Sequence, residues 1–337
     1  MAASSRPTIH EVAKAAGVSI SSVSRALNGN TSNPEMVARV KAAVKQVGYV
    51  PSAVAQSLKT QQTGQVAFAM EDIGNAAYLA MVREIQPLLR EDGYRLLLHA
   101  TGADVQDEIE VLESLAQKYV DGLILCPIRV TDRHLAALRS PAVPVVVIGQ
   151  LPEEADVDNV RTDSRQGARL AVEHLYAAGA RRIAFINGPA DTVPGRLRHA
   201  GYQDGLHACG LEVDDSLVEF GGFQVSAGRE AAQRLLARTQ PDAVFAANDL
   251  IALGAMHAIR SAGRSIPEEI QVVGMDDTTL AETSFPPLTS VSLGSRDRGR
   301  LAADMLLARL HGETGPARRA TVAPSLTVRE STREAAA

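Results

Sequence analysis

Polar side chains follow several of the apolar runs in this 337-residue sequence. Asn248 follows the run DAVFAA, Asp276 follows IQVVGM, and Gln150 follows PVVVIG. Amide, carboxylate and guanidinium groups together donate and accept hydrogen bonds, which suits them to the adjacent hydroxyls of a polyol. An aromatic face such as that of Phe223 can cover the apolar face of a ring. The residues at the ends of these runs are Glu71, Asp72, Ile128, Arg129, Gly149, Gln150, Asn187, Gly188, Pro189, Asn248, Asp249, Met275, Asp276 and Asp277.

A second group of polar side chains lies near the N-terminus, in the segment TIHEVAKAAGVSISSVSRALN from Thr8 to Asn28. Serine hydroxyls and the free N–H groups at a helix start bind phosphate oxygens. An arginine can form two hydrogen bonds with a guanine edge, and an isoleucine can contact a thymine methyl group. This combination of residues, Ser19, Ile20, Ser21, Ser22, Ser24 and Arg25, suits the surface of duplex DNA.

Two short helices joined by a glycine would present that surface. Val12 and Ala16 fall on one face of a first helix, and Val23 and Ala26 fall on one face of a second. Gly17 stands between them, where a tight turn favours a residue that adopts positive φ. The pattern therefore predicts a helix-turn-helix.

Helix caps and a third helix complete this head. Thr8 and Glu11 have the spacing of a capping box, and Ser19 is placed to cap the second helix. A helix predicted over 33–47 would close a three-helix core.

Charge is unevenly distributed along the chain. Residues 1–62 contain seven lysines and arginines against two glutamates, a net charge of +5. Because the whole chain carries −5, the remaining residues carry −10. A basic head on an acidic body favours a polyanionic partner for the head.

From Gln65 onwards, short apolar runs alternate with helical stretches. This alternation predicts βαβ units on parallel sheets, and two such series predict an α/β sensor of two Rossmann-like lobes with a cleft between them. Ligands bind such sheets beyond the carboxyl ends of the strands. The predicted strands are Gln65–Met70, Arg95–His99, Gly122–Cys126, Pro144–Gly149, Arg182–Asn187, Asp242–Asn248 and Ile270–Asp276.

The segments TIHEVAKAAGVS (8–19), VSRALNG (23–29), GYVP (48–51) and AVAQSLK (53–59) resemble the lactose-repressor (LacI/GalR) family of transcription regulators, and the likeness covers essentially the whole chain. The resemblance implies a hinge helix over 52–59 that orders on operator DNA, with Leu58 wedged into the minor groove. The implied DNA-binding residues are Thr8, Ser19, Ile20, Ser21, Ser22, Ser24, Arg25, Asn28, Ala55, Leu58 and Lys59.

The family's body resembles periplasmic sugar-binding proteins, which implies a small-molecule effector in the cleft. The implied effector-binding residues are Asn75, Tyr78, Gln150, Arg198, Phe223, Asn248 and Asp276. Two features depart from the family: Ala76 and Ala77 replace a bulkier pair, and Gly149 and Gln150 stand where several sugar-binding members carry an Asp. A sugar is the expected effector and a nucleobase or nucleoside the alternative. The sequence is compatible both with an inducer that releases the regulator from DNA and with a corepressor that promotes its binding.

The predicted organisation is a helix-turn-helix head at 1–50, a hinge helix at 51–61 and an effector-binding and dimerisation domain at 62–337. Within that domain, we expect one lobe at about 62–162 and 290–320 and the other at about 163–289 and 321–333. The terminal STREAAA lacks the leucine heptads of a tetramerising tail, so a homodimer is expected.

Several other classes of protein are disfavoured. Cys126 and Cys209 form no metal-binding pattern, the N-terminus lacks a signal peptide, and no apolar run approaches the ~20 residues that span a bilayer. The motifs G-x-G-x-x-G after the first strand, G-x-S-x-G and H-E-x-x-H are absent. We therefore expect a cytoplasmic protein that is not an enzyme, with no cofactor, metal or membrane partner.

The sequence thus predicts a transcription regulator, a repressor by family habit, that binds a pseudo-palindromic operator as a dimer and responds to a small molecule. A solute-binding protein of a transporter is the alternative from another class. The basic head and the lack of an export signal disfavour that alternative.

Overall fold

This computed structural model describes residues 7–27, 31–50, 57 and 61–334. The chain divides into two compact units, Met1–Thr63 and Gly64–Ala337, which are treated separately below. Four predicted DNA-binding residues, Asn28, Ala55, Leu58 and Lys59, lie outside the described residues, as does most of the predicted hinge helix.

The first unit contains the three predicted helices, α1 (Ile9–Ala16), α2 (Ile20–Leu27) and α3 (Pro34–Val47). Val12, Val23 and Val40, one from each helix, are fully buried in their common core. Gly17 ends α1 with φ +63°, the left-handed conformation that glycine adopts at little cost. The helix-turn-helix geometry thus follows from short-range apolar spacing and one glycine.

The second unit alternates strands and helices as predicted. Its first part contains β1 (Gln65–Met70), α4 (Ala76–Glu91), β2 (Arg95–Ala100), α5 (Val105–Ser114), β3 (Gly122–Cys126), α6 (Asp132–Leu138), β4 (Val145–Ile148), β5 (Asp158–Thr162), α7 (Ser164–Ala177), β6 (Ile183–Asn187) and α8 (Val193–Ala208). Its second part contains β7 (Val218–Phe220), α9 (Val225–Arg238), β8 (Ala243–Ala246), α10 (Asp249–Ser261), β9 (Gln271–Met275), α11 (Thr279–Thr283), β10 (Thr289–Ser292), α12 (Ser295–Leu310), β11 (Arg319–Val322) and β12 (Ser325–Thr327). Short 3-10 turns occupy Leu115–Gln117 and Asp215–Leu217.

The first lobe is a six-stranded parallel sheet in the order β11-β5-β4-β3-β1-β2. Alternate residues of β1 pack on opposite faces: Phe68 and Met70 lie in the cluster that contains α4 and α12, whereas Ala67 and Ala69 lie in the cluster that contains α5 and α6. Helices therefore cover both faces, as expected for a parallel sheet whose central strands β1, β3 and β4 are largely apolar.

The second lobe is a six-stranded sheet in the order β12-β10-β9-β8-β6-β7, with β12 antiparallel to β10 and the remaining neighbours parallel. Its core includes Phe185, whose ring stacks on those of Tyr202 and Phe245 with both centroids at 4.9 Å. The predicted α/β class with two parallel-sheet lobes is therefore confirmed.

The chain crosses between the two lobes three times, and strand pairing defines the second and third crossings. β10 pairs with β9, so the chain returns to the first lobe after residue 292. β11 pairs with β5 in the first lobe and β12 pairs with β10 in the second, so the last crossing follows residue 322. Backbone pairing with a distant strand therefore sets where each of these short strands belongs.

Both sheets have a topological switch point where a ligand site is expected. In the first lobe, β1 lies between β2 and β3, and in the second lobe, β6 lies between β7 and β8. The connections that leave β1 and β3, or β6 and β8, diverge to opposite faces and open a crevice at the carboxyl ends of the strands. The described helices include none that is long and apolar enough to cross a membrane.

Candidate functional sites

The second helix of the first unit presents the predicted DNA-reading surface. Ile20 is 41% exposed, and Ser21 and Arg25 are exposed one and five positions further along α2. Residues four apart lie on the same helix face, so Ser21 and Arg25 form one patch. Thr8 is exposed at the start of α1, where its N–H donates to Glu11 Oε2 at 2.7 Å, as the capping-box pattern predicts.

A cluster of serine hydroxyls organises the start of this helix. Ser19 Oγ accepts a hydrogen bond from the Ser22 N–H at 3.2 Å and lies 2.8 Å from Ser21 Oγ and 2.9 Å from Ser22 Oγ. Arg25 Nη2 donates to Ser22 Oγ at 3.5 Å, which draws the guanidinium along the helix surface. Ser24 is half-buried on the same helix. The helix start thus carries oriented donors of the kind that bind phosphate.

A cavity in the second unit lies between its two lobes, at the carboxyl ends of the strands. All seven predicted effector-binding residues line it: Asn75, Tyr78, Gln150, Arg198, Phe223, Asn248 and Asp276. Asn75, Tyr78 and Gln150 belong to the first lobe and the other four to the second. The structure therefore brings together side chains that are up to 201 positions apart in the sequence.

Asn75 and Asn248 each cap a helix at the cavity wall. Asn75 Oδ1 accepts from the Ala77 N–H at 3.0 Å at the start of α4, and Asn248 Oδ1 accepts from the Ile251 N–H at 2.8 Å at the start of α10. Asn248 Nδ2 also donates to the Phe223 carbonyl at 3.0 Å. Asn248 therefore fixes the position of Phe223 in addition to lining the cavity.

Arg198 is held on the second-lobe wall with much of its donor capacity unused. It is 8% exposed, Nη1 donates to the Ala247 carbonyl at 2.6 Å, and Nε has no hydrogen-bond partner. Nη2 lies 3.9 Å from Asp276 Oδ1, an ion pair beyond hydrogen-bond distance. The guanidinium carbon lies 5.9 Å from the centre of the Phe223 ring. A hydroxylated ring between these groups would meet charged donors, a carboxylate and an aromatic face.

Asp276 occupies a strained turn. Its φ is +103° and that of Asp277 is +49°, values that residues with a Cβ rarely adopt. Asp277 is tied down by Arg329 Nη2 at 2.7 Å and by the Thr327 hydroxyl at 2.8 Å. Burial raises the pKa of Asp276, and the positive charges of Arg198 and Arg298 oppose that rise.

A buried carboxylate behind the cavity holds this turn in place. Asp249 is 1% exposed and accepts hydrogen bonds from the Thr278 N–H at 2.7 Å, the Thr278 hydroxyl at 2.8 Å and the Ser290 hydroxyl at 2.6 Å. Burial and the nearby charge of Asp276 raise the pKa of Asp249 to about 7. Asp249 therefore positions the residues that follow Asp276 without lining the cavity itself.

Two charged residues of the cavity were not among the seven predicted effector-binding residues, although Glu71 was among the strand-end residues named from the sequence. Glu71 follows β1, and burial together with Asp72 raises its pKa to about 7. Arg298 lies on α12, four positions before Ala302 and eight before Leu306, both buried in the first-lobe core. A charge on the apolar stripe of a helix is the signal that would have identified Arg298. Thr162 and Ser164, at the first crossing, also line the cavity.

One ion pair connects the two lobes. Arg129 Nε donates to Asp191 Oδ2 at 2.7 Å and Nη2 donates to Oδ1 at 3.0 Å, which joins the first lobe to the second. The Val193 N–H donates to the Ile128 carbonyl at 2.8 Å beside it. The described residues contain no group of three or more His, Cys, Asp or Glu that could hold a metal ion.

Comparison with known proteins gives two family matches. Residues 8–52 match the family described as bacterial regulatory proteins, lacI family, and residues 172–332 match the periplasmic binding protein-like domain. The transcriptional regulator CelR of Thermobifida fusca is 38% identical over 97% of this chain and 98% of its own length. The ribose operon repressor of Escherichia coli is 37% identical over 96% of this chain and 99% of its own length.

A solved structure extends the similarity to three dimensions. The lac repressor dimer bound to operator and the anti-inducer ONPF matches with a TM-score of 0.84 at 28% identity. The match covers 98% of this chain and 100% of that one.

Proposed function

Because the chain belongs to the LacI family of bacterial regulatory proteins, we propose that it represses transcription by binding operator DNA as a homodimer under the control of a small molecule. The convergence of seven polar and aromatic side chains on one interlobe cavity supports this proposal most directly. Like its relatives, which are named as transcription regulators, the protein is a regulator and not an enzyme. Its place of action would be the cytoplasm, where a DNA-binding regulator meets its operator.

The proposed DNA contacts divide into those that position the protein and those that read bases. Ser19, Ser21 and the free N–H groups at the start of α2 would bind phosphates, which sets the register of the helix in the major groove. Arg25 would donate two hydrogen bonds to a guanine, and the exposed Ile20 would contact a thymine methyl. The hinge residues Leu58 and Lys59 remain proposed contacts in the minor groove.

The proposed effector is a small polyhydroxylated molecule, such as a sugar. Arg198 supplies charged donors, Asp276 accepts hydrogen bonds, and Phe223 offers an apolar face. A relative whose name assigns it to the ribose operon fits the same chemistry. The effector would change operator affinity by binding one arrangement of the lobes more tightly than the other.

A second copy of the chain is the proposed partner in solution. The edge strand β2 of the first lobe exposes Leu97 and Leu98, and the second lobe exposes Phe285 to 76%. Apolar residues on an edge strand usually need a covering partner. The operator-bound lac repressor, which this chain resembles, is described as a dimer.

A gel-shift titration with promoter fragments of the protein's own gene and of its neighbours tests the DNA assignment. We expect the full chain to shift at least one fragment and Arg25→Ala to abolish that shift. Lys45→Ala is the matched control, since it removes one exposed positive charge from α3 and should weaken binding only slightly. Unaltered binding by Arg25→Ala would refute the assignment of α2 as the reading helix.

A further inference from the structure

Arg298 is a buried cation without a close counter-ion. It is 8% exposed, lines the interlobe cavity and donates one hydrogen bond, from Nη2 to Ser295 Oγ at 3.2 Å. Its Nε has no hydrogen-bond partner, and no carboxylate among the described residues lies within 4.0 Å of its guanidinium. An arginine stays charged in proteins, so this side chain cannot avoid the cost of burial by losing its proton.

The other charges of the cavity do not neutralise this excess. Arg198 is equally buried and already forms an ion pair with Asp276, the carboxylate whose charge also acts on Arg298. Glu71 has a pKa raised to about 7, so it carries only part of a negative charge at neutral pH. Gln150 is uncharged. Two permanent positive charges therefore face the carboxyl groups of Asp276 and Glu71, whose pKa values burial raises, so the buried positive charge is incompletely balanced.

We propose that the effector carries one carboxylate on a polyhydroxylated skeleton, as a sugar acid does, and that this carboxylate binds the guanidinium of Arg298. This inference rests on the proposed function and specifies the ligand class of the same cavity. The unused Nε–H and Nη–H donors of Arg298 form the planar fork that a carboxylate accepts. The hydroxyls of the ligand would bind Arg198 and Asp276 on the opposite lobe.

Charge balance favours a carboxylate over a phosphate. One carboxylate compensates the one uncompensated guanidinium, whereas a phosphate monoester brings close to two negative charges at neutral pH. The second charge of a phosphate would face Asp276 and Glu71, both of which line the cavity. Arg298 also extends from the first lobe whereas Asp276 belongs to the second, so a ligand that binds both residues would connect the two lobes.

Calorimetric titration of the full chain with matched pairs of probes tests this proposal. The pairs are D-gluconate with D-glucitol, D-ribonate with ribitol and D-glucuronate with D-glucose, at constant ionic strength, and glucose 6-phosphate and ribose 5-phosphate form the phosphate arm. We expect at least one acid to bind more tightly than its uncharged counterpart by on the order of 100-fold. Arg298→Gln should abolish that preference, and Arg298→Lys should retain part of it.

Arg296→Gln provides the matched control, because Arg296 is an exposed arginine in the same turn of α12. It should leave the preference for the acid unchanged. Circular dichroism and thermal unfolding establish whether each variant is folded. If Arg298→Gln fails to fold, the preference for the acid over its uncharged counterpart is compared between wild type and Arg298→Lys instead.

Four outcomes would overturn the proposal: equal affinity for an acid and its uncharged partner, tighter binding of a phosphate, no binding of any acid at millimolar concentration, or an undiminished preference in Arg298→Gln. If an uncharged sugar changes operator binding while the acids do not, the proposed function stands and this inference fails. If the chain binds no promoter fragment, the proposed function fails independently.

Discussion

Arg129 of the first lobe and Asp191 of the second form a two-pronged ion pair between the lobes, with N–O distances of 2.7 and 3.0 Å. Among the ion pairs of the described residues, it alone joins the two lobes. Arg129 Nη1 also donates to the Ala103 carbonyl at 3.0 Å, which fixes the guanidinium on the first lobe. The pair therefore stabilises the arrangement of the lobes in which these contacts form.

Loss of this pair should weaken ligand retention without unfolding either lobe. We predict that Arg129→Ala lowers the affinity for a cavity ligand by up to about 5-fold, mainly through faster dissociation, because the pair is partly exposed. A double-mutant cycle with Asp191→Ala, followed by stopped-flow dissociation, measures the coupling. Arg165→Ala breaks a comparable pair with Asp204 inside one lobe and should leave dissociation unchanged. Additive effects of the two substitutions would contradict a direct role of the pair.

Asp249→Asn should loosen the turn that carries Asp276 into the cavity wall. The amide has one acceptor oxygen, whereas the Asp249 carboxylate accepts three hydrogen bonds from Thr278 and Ser290. We expect a loss of about 1–3 kcal/mol in the free energy of unfolding, measured by urea titration. The folded variant should also lose most of its ligand-induced thermal shift, since the turn at Asp276 is no longer held. Asp304→Asn, at an exposed site, should change neither quantity; a full thermal shift in folded Asp249→Asn would exclude a positioning role.

Because the pKa of Glu71 is raised, we predict that the free energy of unfolding falls as the pH rises from about 4.5 to about 7. Its pKa is raised from 4.5 to about 7 by burial and by Asp72, while Arg198 and Arg129 oppose the rise. In this window the folded state retains the proton that the unfolded state has lost, so the free energy of unfolding decreases with increasing pH. The contribution is on the order of 3 kcal/mol.

Thermal unfolding of wild type and Glu71→Gln from pH 4.5 to pH 8 checks this expectation. The variant should show a flatter profile because glutamine does not titrate. Asp249, whose pKa is also raised to about 7, should leave part of the slope in place. Parallel profiles for the two proteins would show that Glu71 titrates normally in the folded state.

Gly188→Ala should displace the aromatic wall of the cavity. A Cβ at Gly188 would lie 2.1 Å from Cε1 of the Phe223 ring, far inside van der Waals contact. We predict a cost of about 1–3 kcal/mol in stability and a clear loss of ligand affinity, measured by calorimetry. Gly221→Ala is the matched control, since its Cβ would meet Ala227 at an ordinary 3.5 Å. If Gly188→Ala bound the ligand with wild-type affinity, Phe223 would not be a ligand contact.

The parts of the fold that depend on local patterns could be predicted from the sequence. Gly17 with the apolar spacing of Val12 and Val23 was enough to predict the helix pair. The largely apolar strands were enough to predict the two parallel series: β1, β3, β4, β6, β8 and β9. The strand-end rule then identified Asn248 and Asp276 as cavity residues, because the ends of parallel strands meet at one edge.

Elements stabilised by distant partners were missed. β5 begins with Asp158, a charged residue that looks unsuited to a buried strand until Arg309 and Arg318 neutralise it. Both arginines hold the pKa of Asp158 at about 2. β10, β11 and β12 are short and partly polar, and pairing with distant strands defines them. The apolar stripe of α12 marks Arg298 as buried, but its place in the cavity depends on the second crossing between lobes, which brings α12 to the first lobe.

Operator affinity measured by fluorescence anisotropy, with the full chain and its own promoter fragment, tests most directly whether the cavity controls DNA binding. With a ligand that calorimetry has shown to bind, we predict a change in operator Kd of about 5-fold to 150-fold in wild type. Asp276→Asn should abolish that change while leaving the operator affinity of the ligand-free protein intact. An operator Kd that stays constant from zero to saturating ligand would contradict control of the DNA-binding head by the cavity.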